Sequence, residues 1–566
     1  MNWQRFFPFL QWPRPSADTL RKDAWAGISV GLVLVPQALA YAALAGMPPQ
    51  TGLYAALLPA IVGILWGSSP LLAVGPVALT SMLTYASLEA FATPGSGAWV
   101  SLAVWLAIYA GVIQFALGAL RLGIITNFVS YPVIAGFINA AAITIVLSQL
   151  PALLGLPLDV DATWFSRIAA TASDAPQRLA ATAAFGLGGF VLLLLQRRIV
   201  PQVPGVLVIC VAGTLISALT DFDRIGGAVI GAVSGGLPHF GSLPALRIDQ
   251  HRALLPAAFI IAVISFVEAM SSCKTLARKR GEQWDENQEL IGQGLAKISS
   301  GLCGAFPVSG SFSRSALNLY VGATSGWSTL FAAGSVLACL LWLTPYLRYL
   351  PRALLAAIIV ASVLSLITPR IFRHLWRISR DDGAVALATL AITLFSAPQL
   401  QWGVFAGFTA AIFCYLYRSA RPRIIEVGEH PDGTLRDRER FGLPPLAPGV
   451  VAIRMDSSLT YITAPVLERT VLDRVRAAAE IHTVVLCSSP FNDIDMTGVE
   501  SLQQLQRNLR ALNVTLRFSA LKKQVWEVME RAGLTAELGP SAFFSTDREA
   551  IEALRASATD ATAADH

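Results

Sequence analysis

The sequence predicts an α-helical polytopic membrane protein followed by a small α/β domain, and three observations carry that prediction. Of the 566 residues, 54% are hydrophobic and only 14% are charged, and the mean hydropathy of +0.58 lies far above that of an average soluble chain. Uncharged apolar runs close to the ~20 residues that cross a bilayer recur through the first three quarters, for example at 24–45, 99–120 and 179–196. After Arg423 the pattern changes to short strand-like runs alternating with amphipathic helical ones.

Residues 1–23 lack the short apolar stretch and small-residue cleavage site of a secretory signal, so they read as a retained cytoplasmic lead-in. Residues 24–423 form the transmembrane part, with crossings expected to start near 24, 52, 70, 99, 126, 179, 203, 253, 288, 305, 327, 352, 382 and 402. Basic residues cluster at Arg5–Lys22, Arg121, Arg197–Arg198, Arg278–Arg280, Arg370–Arg380 and Arg418–Arg423, each after an even number of these crossings. Loops at 46–50 and 396–401 carry few or none. The positive-inside rule then places both termini in the cytoplasm of a protein that spans the cell (inner) membrane many times.

The third crossing, SSPLLAVGPVALTSMLTYA, and the tenth, CGAFPVSGSFSRSALNLYVG, are unlike the rest: each is a Gly/Pro/Ser-rich stretch running into a helix. Interrupted segments at matching places imply two halves of seven crossings, and an odd number per half makes the repeat inverted. Irregular backbone survives at membrane depth only where protein or a water-filled cavity satisfies it, so this is where a transported solute would sit. The two helix N-termini would face each other near the midplane.

Beyond the membrane part, 424–447 is polar, rich in Pro and Gly, and reads as a linker. Within 448–556, VVAIRM, TVVLCS and VTLRFS alternate with helical runs, which predicts a small α/β sheet domain. Residues 557–566 read as a frayed tail.

The net charge of +6 follows from basic cytoplasmic loops and does not call for nucleic acid. Six cysteines are scattered without metal-ligand spacing, and no nucleophile–base pair or phosphate-binding loop stands out. The chain is therefore expected to be no enzyme and to need no metal or cofactor.

Arg314 carries the most information. A cation near the bilayer centre is costly and usually faces a cavity or a partner. With the helix ends near Val77 and Ser313 it makes a compact positive site that can replace the hydration of a small oxyanion. Glu268, in AVISFVEAMSS, is placed to exchange a proton or hold a sodium ion, with Ser271 and Ser272 one turn further along. A static ion pair of Glu268 with Arg314 or Lys297 is the alternative. On the first helix Gln37 and Tyr41 share a face just after Pro36 and act either as ligands or as helix-to-helix contacts.

Three stretches resemble the signature regions of the SulP anion-transporter family: VPQALAYAALAGMPPQTGLYAALLPAIVGILWGSSPLLAVGPVALTSML, FVEAMSSCKTLARKRGEQWDENQELIGQGLAK and PVSGSFSRSALN. The C-terminal domain, with its DMTG at 495–498, resembles a STAS domain. The resemblance implies a seven-plus-seven inverted repeat divided into core and gate domains, an elevator movement and a homodimer. It also implies an anion held by Gln37, Tyr41, Val77, Ala78, Phe312, Ser313 and Arg314. Sulfate is the first expectation, with bicarbonate and C4-dicarboxylates as alternatives. An acidic residue at Glu268 implies proton- or sodium-coupled symport rather than exchange, or a channel-like or motor activity. Lys297 stands where Asn is expected. The STAS domain implies a possible cytoplasmic protein partner, and Thr497 aligns with a phosphorylated position of related regulators.

Overall fold

The computed structural model describes residues 7–12, 15–124, 130–156, 176–199, 205–238, 243–397 and 401–564. They form two compact units, 1–411 and 412–566. The crossing starts expected near 126 and 203, and the first six residues of the lead-in, lie outside the described residues.

The first unit is helical. Its helices are α1 (Ala17–Leu44), α2 (Pro49–Trp66), α3 (Ala78–Leu88), α4 (Gly97–Ala119), α5 (Tyr131–Leu154), α6 (Pro176–Ile199) and α7 (Gly205–Leu219). They continue with α8 (Ile248–Arg280), α9 (Glu286–Leu302), α10 (Phe312–Tyr320), α11 (Trp327–Ala338), α12 (Arg352–Val363), α13 (Arg370–Ile378), α14 (Arg380–Phe395) and α15 (Gln401–Ser419), the last of which begins in the first unit and ends in the second. Seven of the described helices are long and apolar enough to cross a membrane, α11 among them through its continuation to Leu347, and α7 and α12 are apolar but shorter.

The lead-in is shorter than the sequence suggested. Ser16 caps α1, accepting from the Thr19 amide at 3.2 Å while its own amide donates to Thr19 Oγ1 at 2.8 Å. The last residues assigned to the lead-in, Asp23 included, are therefore helical. The expected basic loop near 370 contains a helix of its own, α13, whose four basic residues share its short length with Ile371, Phe372, Leu375 and Trp376.

Packing exchanges partners between the two halves. Helix α4 lies on α8 and α9, while α11 lies on α1 and α2; α5 packs on α14 as α12 packs on α6. The first of these contacts recurs seven helices along, and the second does so once the short α13 is left out of the count, as a two-fold relation between halves requires. Small residues make the closest contact possible: a Cβ on Gly111 of α4 would meet Gly294 O at 2.7 Å, and one on Gly294 of α9 would meet Phe115 N at 2.5 Å. The interrupted segments meet as well. Strand β1 (Ala73–Gly75) pairs antiparallel with β2 (Ser309–Ser311), in register Ala73↔Ser311, Val74↔Gly310 and Gly75↔Ser309.

The second unit is a six-stranded sheet of β3 (Ile424–Glu429), β4 (Leu435–Asp437), β5 (Val450–Met455), β6 (Thr483–Cys487), β7 (Thr515–Ser519) and β8 (Phe543–Phe544), in the order β4-β3-β5-β6-β7-β8. Strands β5 to β8 are parallel, and β3 runs antiparallel to β4 and β5. Residues 424–447 are thus not a linker. Their polar turn at 430–434 joins two strands, and Val427 is buried with Val450, Ala452 and Val485. Alternation along β5 sends Val451 and Ile453 to the opposite face, where they pack with Leu467 and Val471 of α17 (Ala464–Ala477; α16 is Arg438–Phe441) and with Leu502, Leu505 and Leu509 of α18 (Met496–Ala511). Helices α19 (Lys523–Arg531), α20 (Leu534–Leu538) and α21 (Asp547–Ala564) complete the unit. Helix α21 runs through most of the stretch read as a frayed tail.

Candidate anion and coupling site

The site grows from the β1–β2 pair. Because these two short strands hydrogen-bond to each other, α3 and α10 can begin inside the unit instead of at its surface. Three further bonds tie the pieces together: the Ala73 amide donates to Ser315 Oγ at 2.9 Å, Asn318 Nδ2 to Leu71 O at 3.4 Å, and Arg314 Nη1 to Pro76 O at 3.0 Å.

Helix α3 begins without a side-chain cap. Val77 at its N-cap is apolar, and the hydroxyls of Thr80 and Ser81 turn back onto Val77 O, at 3.3 and 2.8 Å, instead of meeting the leading amides. No acceptor among the described residues meets the amides of Ala78 and Leu79. In α10, Ser311 Oγ accepts only from the Arg314 amide, at 3.4 Å, and lies 3.4 Å from Ser313 Oγ. The amides of Phe312 and Ser313 likewise have no described acceptor. Free amides at two helix N-termini carry partial positive charge and point at whatever lies between them.

Arg314 is 2% exposed, and its Nε and Nη2 have no hydrogen-bond partner. A Cβ on Gly75 would lie 3.3 Å from Nη2, so a larger residue there would crowd the guanidinium. Tyr41 lies within electrostatic reach of Arg314 and Gln37 is buried with an unpartnered Oε1, so α1 brings both to the same region. Val77 and Ala78 are buried, whereas Phe312 is 50% exposed and Ser313 is exposed. Val77, Ala78, Phe312, Ser313 and Arg314 thus adjoin the β1–β2 pair, and Tyr41 lies within electrostatic reach of Arg314.

Glu268 sits on α8 at the edge of an apolar cavity lined by Leu79 of α3, Phe137 of α5, Val267 and Phe408 of α15. Its Oε2 is buried without a partner. It is within electrostatic reach of Arg314 and Lys297 but forms an ion pair with neither. The static pair that competed with a coupling role is absent among the described residues. Ser272 donates to the Glu268 carbonyl at 3.3 Å, so its hydroxyl hydrogen is committed to the helix backbone, and Ser271 is exposed.

Two buried carboxylates escaped sequence reading. Asp23 accepts from the amides of Thr324 and Ser325 at 2.6 and 3.2 Å and from both hydroxyls. Glu289 accepts from the amides of Ser68 and Ser69, each at 3.0 Å, and from Gln293 Nε2 at 3.0 Å. Each holds the turn next to an interrupted segment. The signal that could have found them is their position: single acids at the very start of apolar runs.

In the second unit, Asp495 caps α18, accepting from the Gly498 amide at 2.8 Å and, through its other oxygen, from the Tyr461 amide at 2.8 Å. Thr497 is exposed in the first turn of that helix.

Comparison with known proteins fits this architecture. The sulfate permease family matches residues 20–389, and a STAS domain matches 445–550. The chain belongs to the sulfate permease family. Its membrane unit is that of a transporter and not of an enzyme. Along 98% of its length it is 32% identical to the chloroplastic sulfate transporter 4.1 of Arabidopsis thaliana, of which it covers 83%. Along 98% it is 30% identical to the sodium-independent sulfate anion transporter of Bos taurus, of which it covers 92%. The fold is shared with the murine solute carrier 26 family member A9 anion transporter in its inward-facing state, with a TM-score of 0.86 at 22% identity over 97% of this chain and 94% of that one.

Proposed function

We propose that this family member is a secondary active transporter of small anions, sulfate first, driven by symport of a coupling proton. The observation that carries the reading is the buried Arg314, with two donor atoms unpartnered, lying between two helix N-termini whose leading amides are also unmet. A tetrahedral oxyanion offers acceptors on all sides and can take these donors together, and charge-assisted bonds of this kind are the strong ones. The names of the two relatives, both sulfate transporters, support sulfate over bicarbonate or C4-dicarboxylates.

Glu268 is the coupling residue in this reading. The apolar lining of the adjoining cavity favours a proton over sodium, because a sodium ion needs several oxygens around it and the cavity supplies few besides Glu268. Sideways sliding of one helix group, holding α3, α8 and α10, against another holding α5, α12 and α14 would carry the site between the two faces. A homodimer in the inner membrane with both termini cytoplasmic completes the proposal. The STAS domain would contact a cytoplasmic partner, and the exposed Thr497 is open to phosphorylation at a helix end that favours the added charge.

The test is uptake of labelled sulfate, bicarbonate and fumarate into proteoliposomes under imposed proton or sodium gradients. Wild type should concentrate sulfate when the proton gradient is present, Arg314→Ala should abolish uptake, and Glu268→Gln should permit only equilibration. Uptake that merely equilibrates in wild type, unchanged by Glu268→Gln, would exclude coupled symport.

A further inference from the structure

Helix α13 has no part in the site described so far. It joins α12 to α14, the helices of the crossings expected from near 352 and 382, and so lies at a surface of the bilayer. Successive residues of a helix turn by about 100°. That spacing places Arg370, Arg373, His374 and Arg377 in one stripe and Ile371, Phe372 and Leu375 on the opposite side. The apolar side is occupied: Leu375 is buried with Ala135 of α5 and Ala386 of α14, and Ile371 and Phe372 pack around them. Trp376 lies against α14, where a Cβ on Gly383 would stand 2.7 Å from its Cε3. These contacts fix the rotation of the helix, and all four residues of the basic stripe are exposed.

Among the described residues, no group of the chain meets that stripe. Arg370, Arg373 and Arg377 have neither an ion pair nor a side-chain hydrogen bond there, whereas Arg423, Arg436, Arg438 and Arg474 of the second unit each hold a carboxylate. The acids nearest in the chain, Asp381 and Asp382, stand beyond the corner at Ser379, in the first turn of α14, where the helix N-terminus favours them. The stripe carries a cost of its own. Like charges three and four residues apart repel along a helix, and Arg370 stands in the first turn of α13, at the positive end of the dipole. An anionic surface over the stripe removes both penalties. Trp376 and Ile378 flank it on either side and are 47% and 70% exposed, as in helices seated at headgroup level.

We propose that α13 is a docking surface for anionic phospholipid: Arg370, Arg373 and Arg377 bind headgroup phosphates, and Trp376 and Ile378 insert beside them between headgroups and acyl chains. A guanidinium offers paired N–H donors that match a phosphate, and three of them along ~10 Å of helix face a plane of charge better than a single ion. The two flanking apolar residues identify the source of the phosphate, because a bilayer covers them and a soluble phosphate leaves them in water. Lipid binding at α13 does not depend on the transport reading. Its bearing on transport does rest on that reading, since α13 packs on α5 and α14, of the group against which α3, α8 and α10 would slide.

The test is hydrogen exchange across 370–378 in the full-length protein, held in nanodiscs of phosphatidylcholine alone or mixed with phosphatidylglycerol. Phosphatidylglycerol should slow exchange of α13 by about tenfold or more, each arginine near an anionic surface being worth about fivefold, and high salt should shrink the effect. Changing the three residues together, Arg370→Gln, Arg373→Gln and Arg377→Gln, should abolish the difference between the two lipids, while Lys at all three positions should keep most of it. That rescue separates charge from packing. Inorganic phosphate added to phosphatidylcholine nanodiscs should do nothing. Equal exchange of wild type in the two lipids, or an effect of phosphate as large as that of phosphatidylglycerol, would overturn the proposal. So would protection already complete in phosphatidylcholine and lost in the glutamine variant, which would assign the face to a protein partner. If the glutamine variant does not fold, the salt and phosphate arms on wild type decide the matter. Sulfate uptake enters none of these readouts, so failure here leaves the transporter reading standing, and failure of that reading leaves lipid binding standing.

Discussion

Two kinds of buried charge stand side by side in the membrane unit. Asp23 and Glu289 each accept three or more hydrogen bonds, two of them from backbone amides, and their oxygens are occupied. Arg314 is buried and Glu268 half-buried beside the interrupted segments, yet Arg314 leaves Nε and Nη2 unmet and Glu268 leaves its buried Oε2 unmet. A buried charge without partners is costly, and the fold tolerates it where a ligand or a proton provides the missing interactions. In the proposed reading the fully bonded acids are scaffold and the unmet pair is the working site.

That contrast can be broken by mutation. The largest effect should come from Arg314→Ala, which removes the cation between the two helix ends: sulfate uptake should fall by about a hundredfold or more, measured as initial rate in proteoliposomes. The next concerns stability. Asp23→Ala strands at least two backbone amides and should cost about 3 kcal/mol or more, with Glu289→Ala close behind, measured as loss of folded protein on heating. Glu268→Gln keeps shape and removes the ionisable oxygen, so concentrative uptake driven by a proton gradient should vanish while sulfate binding changes by less than about tenfold. Gln37→Leu should cost about 1 kcal/mol of sulfate affinity, read as a rise in KM.

The smallest effect lies in the second unit. The Thr434 hydroxyl and amide, with His430 and Arg436, hold the exposed Asp432 well below the usual carboxylate range. A depressed carboxylate stabilises the fold above its unfolded pKa, near 4, and loses that contribution as pH falls through its folded value. Hydrogen exchange of the β3–β4 hairpin should therefore quicken in strong acid in wild type and depend less on pH in Asp432→Asn.

The parts of the molecule that were legible in the sequence were those with a periodic or compositional signature. Apolar runs located most of the described helices, and the Gly/Pro/Ser interruptions located β1–α3 and β2–α10, because backbone that leaves a helix inside a membrane needs small and polar residues. Arg314 and Glu268 were visible as charges in apolar runs. The boundaries failed where a side chain decides them: Ser16 starts α1 earlier than hydropathy indicates, and β3 and β4 were hidden in a stretch whose Pro, Gly and charged residues look like a linker until Val427 is seen in the core. Asp23 and Glu289 were missed because their partners, at 324–325 and 68–69, are more than two hundred residues away in sequence.

The most direct test compares the melting of purified Arg314→Ala and Asp23→Ala with and without sulfate. If unmet charge marks the site and bonded charge the scaffold, Arg314→Ala should melt at or above the wild-type temperature but show no rise with sulfate, whereas Asp23→Ala should melt lower and still rise with sulfate. A sulfate-dependent rise that persists in Arg314→Ala, or disappears in a folded Asp23→Ala, would contradict the assignment.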